Sequence, residues 1–116
     1  MAQESKLRAI FCKRLYQRRT ELGISQRTLG MQIGLTKPVA HVRINRYELG
    51  VHEPDMKTIQ RLAEQLGVPV AYLFAEDDRL ARIILAFDGL SVTEQERLLK
   101  SVEPKKSARK KTTDKT

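Results

Sequence analysis

The strongest constraint on this chain is the spacing of its apolar side chains. They return every third or fourth residue, in short runs separated by glycine. That period lays one apolar stripe along a helix and does not suit a pleated strand. No strand-like alternation occurs, so the expected fold class is all-α. The first run spans about Lys6 to Leu22, with Leu7, Ile10, Phe11, Leu15 and Leu22 inward, and Gly23 stops it. Ser25 opens a second, short run through Leu29, Gly30 and Ile33, closed by Gly34. Thr36 is positioned to cap a third. Pro38 sits in its first turn, where a missing N–H does no harm, and Gly50 ends it. Glu53-Pro54-Asp55 opens a fourth, with Met56, Ile59, Leu62, Ala63 and Leu66 inward. Val68-Pro69 begins a short fifth, with Val70, Leu73 and Phe74 inward. A sixth helix is expected from about Arg79 to Phe87. A seventh starts at Ser91 or Thr93, each followed three residues later by a glutamate at capping-box spacing.

Charge narrows the choice of partner. The chain carries a net +8, which favours an anionic partner such as nucleic acid. Most of that excess lies at one end: residues 105–116 hold six Lys or Arg against one Asp, a net of +5. The other 104 residues hold sixteen against thirteen, a net of +3. The segment 104–116 has no apolar residue larger than Ala and is expected to be a disordered basic tail. It either clamps phosphates without regard to sequence or serves solubility.

Other classes are disfavoured. The single cysteine, Cys12, allows no intramolecular disulfide and reads as a partly buried helix residue. No spacing for a metal, nucleotide or nucleophile site is present, so no catalytic residue, metal or cofactor is expected. Glu94 and Glu96 read as caps. The first residues lack the apolar core of a secretory signal and no run is long enough to span a bilayer. A cytoplasmic protein without membrane contact is expected.

Ser25 to Leu49 is the segment that can carry function. Two helices meet at Gly34-Leu35, a sharp junction that glycine makes affordable. On the second helix Ala40, Ile44 and Tyr47 fall within roughly 60° of one another and face the core. Pro38, Val42, Asn45 and Arg46 then point outward, beside Lys37, His41 and Arg43. Arginine pairs bidentately with guanine and asparagine with adenine, so this face suits a major groove.

The combination of Ser-Gln at 25–26, Gly34, Tyr-Glu-x-Gly at 47–50, Pro54 and Leu-Ala-x-x-Leu-Gly-Val at 62–68 resembles the Cro/phage-repressor type of helix-turn-helix domain. The likeness covers about residues 8–75. It implies a lambda-repressor-like five-helix domain over 6–75, followed by two further helices in 76–103. It implies a sequence-specific transcriptional regulator of double-stranded DNA, of phage or bacterial repressor type, binding a palindromic operator as a homodimer. The alternative is an antitoxin or other protein-binding module that holds its partner through the last two helices.

By the same resemblance Gln26 touches a phosphate, and Arg19 pairs with Glu48 as a buried structural bridge. The DNA-contacting set is then Gln26, Arg27, Thr36, Lys37, Pro38, His41, Val42, Arg43, Asn45 and Arg46. Most family members have about four fewer residues between the positions of Gly34 and Tyr47. A helix lengthened by one turn and a longer loop before a normal helix are both open for 36–43, since four residues rotate a helix by only about 40°. Arg18 stands where the family usually has an aliphatic residue. It either lays its stem over the core or faces a phosphate. His52 either meets a phosphate or is solvated. Lys6, Arg8, Lys13, Arg14 and Arg18 are expected to form a largely solvated basic face, and Tyr47 to be core. Leu80, Ile83, Ile84, Phe87, Leu98 and Leu99, with Val102, exceed what a five-helix domain needs and form the expected dimer contact.

Overall fold

The structure, a computed structural model, describes the backbone of residues 2–104 and the side chains from residue 6 to residue 104. The basic tail beyond Pro104 lies outside the described residues. Six α-helices and one 3-10 helix follow in order, with no strand among the described residues. They are α1 (Ala2–Glu21), α2 (Gln26–Gln32), α3 (Lys37–Leu49), α4 (Met56–Leu66), the 3-10 helix Val70–Phe74, α5 (Asp78–Asp88) and α6 (Val92–Val102).

The helix starts follow cap chemistry. Ser25, Asp55, Asp77 and Ser91 each accept a backbone N–H from the first turn they precede. Ser91 and Glu94 close a full capping box, which settles the start of α6 at Ser91. Thr36 has N-cap geometry but makes no side-chain bond to α3. Gly34 takes φ +100° between α2 and α3, a conformation that a side chain would strain.

The core is one cluster. Phe11 and Leu15 of α1 meet Leu29 and Ile33 around α2, Ile44 and Tyr47 of α3, Leu62 and Leu66 of α4, and Tyr72 and Leu73 of the 3-10 helix. Phe11 and Phe74 stack at 5.6 Å. The closest helix contact is between α2 and α3. A methyl on Gly30 would stand 2.6 Å from the Ala40 Cβ and 2.8 Å from its backbone, so only glycine lets the two helices approach this far.

Several residues expected inside are not. Leu7 and Leu22 lie on the exposed side of the first helix region, Met56 is 85% exposed and Val70 is exposed. Each sits at or near an element's end, where the neighbouring helices no longer cover the stripe. The opposite correction concerns Arg14, expected on a solvated face but 0% exposed. Its Nε donates to the Ala75 carbonyl at 2.7 Å, Nη2 to the Glu76 carbonyl at 3.0 Å and Nη1 to Gln17 at 2.8 Å. Nη1 also lies 3.0 Å from Asp78, and the guanidinium stands over Tyr72. Arg14 thus satisfies the carbonyls of the turn that leads into α5. Arg18 is half-buried on the stripe of Phe11 and Leu15, and its Nε donates to the Leu66 carbonyl at 3.0 Å and so closes the end of α4.

Candidate nucleic-acid interface

The stretch 36–43 is helix from Lys37 onward, so α3 is the lengthened form, thirteen unbroken residues. Pro38 lies in its first turn, where no intrahelical donor is lost. Ala40, Ile44 and Tyr47 are buried. Lys37, Pro38, His41, Val42 and Arg46 are exposed, with Thr36 just before them, and Arg43 and Asn45 are half-buried. The face that looks outward therefore carries cationic, imidazole and amide groups along its length, with a methyl-bearing patch at Val42.

A polar chain locks this helix to its neighbours. Arg19 of α1 makes two parallel bonds to Glu48, through Nε to Oε2 and through Nη2 to Oε1 at 3.1 Å. The two side chains are 11% and 5% exposed, so the pair is nearly dry. Arg19 also donates to the Ile24 carbonyl at 2.9 Å and lies over the Tyr16 ring. Gln26, the first residue of α2, donates its amide to Glu48 at 2.8 Å and to the Asn45 carbonyl oxygen at 3.2 Å. Asn45 is thereby turned by Gln26, and its own amide N–H groups remain to serve an outside acceptor. Neither the Gln26–Asn45 bond nor its effect on Asn45 is visible in the sequence, because the residues are nineteen positions apart.

Arg27 is exposed beside Gln26, and a shallow concavity joins Arg19, Ser25, Gln26, Arg27 and His41. His52 is exposed in the α3–α4 loop. The sequence reasoning missed Arg14 and Arg18 as interior donors. The available signal was their register: both fall on the helical stripe with Phe11 and Leu15, where charge is tolerated only if carbonyls receive it.

Away from α3, Leu80, Ile83, Phe87 and Leu99 are exposed, while Ile84 and Leu98 are half-buried. Helix α6 buries none of its residues. Among the described residues no helix is long and apolar enough to cross a membrane, and no three metal-binding side chains gather.

Comparison with known proteins gives a consistent set of relatives. A family model described as helix-turn-helix matches residues 15–73. The SPbeta prophage-derived uncharacterized HTH-type transcriptional regulator YonR of Bacillus subtilis (strain 168) is 36% identical over 64 residues, 55% of this chain and 56% of that protein. An uncharacterized HTH-type transcriptional regulator of Sinorhizobium medicae (strain WSM419) is 35% identical over 63 residues, 54% of this chain and 42% of the relative. The chain thus spans about half the length of these curated relatives. The crystal structure of the transcriptional regulator BswR superposes with a TM-score of 0.74 at 37% identity, covering 78% of this chain and 90% of that one.

Proposed function

Because the chain belongs to the Cro/C1-type helix-turn-helix family, we propose that it is a sequence-specific transcriptional regulator that reads the major groove of double-stranded DNA with α3. The observation that carries this is the two-sided character of that helix. One face is sealed in the core by Ala40, Ile44 and Tyr47, and the other is exposed and lined by Lys37, His41, Asn45 and Arg46. Asn45 and Arg46 are assigned to base edges, with the Val42 side chain against a thymine methyl. Arg27, at the start of α2, is assigned to the phosphate backbone together with Arg43; Gln26 is assigned there through its backbone N–H, since both hydrogens of its side-chain amide go to Glu48 and Asn45. The additional first turn brings Thr36, Lys37, Pro38 and His41 to the same groove.

In this reading residues 6–75 hold DNA and residues 76–103 join two copies. The support is the uncovered apolar surface of α5 and α6. An eleven-residue helix with only Gln95 and Leu98 half-buried and the rest exposed is marginal in water, so α6 needs a cover. A second copy supplies it through Leu80, Ile83, Phe87 and Leu99, with Ile84 and Leu98 beneath. Two α3 helices held about one helical turn apart (~34 Å) then match a palindromic operator.

Selection of bound sites from random double-stranded DNA, followed by affinity measurements on Asn45→Ala and Arg46→Ala, tests the assignment. Each substitution is expected to weaken the selected site by about 1–3 kcal/mol and to relax its sequence preference. Equal losses on selected and random DNA would show that neither side chain reads bases.

A further inference from the structure

Between α1, the last turns of α3, the α3–α4 loop, α4 and the 3-10 helix lies a groove of about 510 Å³, within the size range of small-molecule sites. Its base is aromatic: Phe11, Tyr47 and Phe74. Leu7 and Ile59 add apolar lining, the half-buried Arg8 lines it as well, and the exposed His52 and Glu53 complete it. Nothing assigned above uses these groups together.

Arg8 is the informative residue. Its Nε is buried and, among the described residues, has no hydrogen-bond partner. A guanidinium N–H shut away from water without an acceptor is costly, and a bidentate acceptor removes that cost. Every other α1 arginine is provided for: Arg14 and Arg18 by carbonyls, Arg19 by Glu48. The Cys12 thiol beside it donates to the Tyr47 carbonyl at 3.2 Å. Burial pushes that thiol up from its ordinary value, so at neutral pH it brings no negative charge to the groove. Glu53 is exposed on the rim, where solvent screens its charge, and His52 stands next to it.

We propose that this groove binds a small amphiphilic carboxylate, its apolar body along Phe11, Ile59 and Phe74 and its carboxylate received by the Arg8 guanidinium. The occupant touches Tyr47 in the last turns of α3 and Pro54 in the loop that follows, so it acts on the position of the reading helix. This regulatory consequence rests on the DNA reading of α3 given above; the binding itself does not.

Octanoate is a suitable probe, titrated into the full chain and followed by amide nitrogen–proton spectra. Saturable shifts are expected at residues 7–12, His52, Glu53 and Ile59. Arg8→Met, which keeps the stem, is expected to weaken octanoate at least tenfold. Arg8→Lys, a point charge without the fork, is expected to fall between. Octanol, which lacks the carboxylate, is expected to bind the wild type and Arg8→Met alike. No saturable shift, shifts confined to α5 and α6, or equal octanoate affinity in all three proteins would overturn the site. Saturating octanoate is further expected to change the affinity for a selected operator several-fold in the wild type and not in Arg8→Met. An operator held equally with and without octanoate would overturn the regulatory part alone. Failure to hold any DNA both with and without octanoate would instead overturn the reading of α3.

Discussion

Single residues decide how closely α2 and α3 can meet. Gly30 faces Ala40 at a distance that admits no side chain. Gly30→Ala gains about 1 kcal/mol of helix propensity, yet overpacking costs typically about 1–3 kcal/mol. Here the obstructing atoms include backbone, so the clash is expected to win. Urea unfolding should show a net loss, and adding Ala40→Gly, which removes the Ala40 Cβ but leaves its backbone atoms at 2.8 Å, should recover little of it. Residue-level roles were unevenly legible in the sequence. Tyr47 and Ile44 follow from the helical period, and their burial needs no knowledge of the neighbours. Gln26 turning Asn45, and Arg14 reaching the carbonyls of Ala75 and Glu76, depend on contacts 19, 61 and 62 residues apart that only the folded chain brings together. A charge pattern marks an arginine as polar; it does not reveal which carbonyls await it.

At the scale of elements, caps and glycines made most boundaries readable, but register alone left 36–43 open between a lengthened helix and a longer loop. Adding one turn leaves Ala40, Ile44 and Tyr47 on a common face, so a continuous helix satisfies the core without a loop. What remained hidden was coverage at the helix ends, as Leu7 and Met56 show. The start of α5 carries its own prediction. Asp77 is held below the ordinary aspartate range first by its bond to the Arg79 side chain and then by the Arg79 and Leu80 backbone N–H groups. Asp78 is held down first by Lys13 and then by Arg14. A folded-state value below the unfolded one stabilises at neutral pH. That contribution disappears as the pH falls from the ordinary carboxylate range down through the lowered folded values. Thermal midpoints followed from neutral to acid pH should therefore decline on that limb, and Asp77→Asn with Asp78→Asn should flatten it. An unchanged acid limb would mean these carboxylates do not hold α5.

At the scale of the whole molecule, the compact part ends near Ala81, the last buried residue of the core cluster. Beyond it α5 still lays Ile84 and Leu85 against the core, while Leu80, Ile83, Phe87 and Leu99 are exposed. Ile83→Glu is expected to convert a dimer into a monomer in sedimentation runs at micromolar concentration, and to lower the thermal midpoint and remove its dependence on protein concentration. A monomeric wild type would remove the dimer reading. The composition showed an apolar surplus here but not what covers it, because a self-packed end and a paired one have the same residue pattern. Arg14 acquires another meaning in a paired molecule. By gripping the turn between core and α5, it works as the rivet of a pair of callipers whose two points are the α3 helices. The gauge of the instrument is then set by a side chain that touches neither DNA nor partner. Arg14→Met should loosen it, so that operators with one or two base pairs added or removed between their halves are accepted almost as well as the original, while each half alone is bound as before.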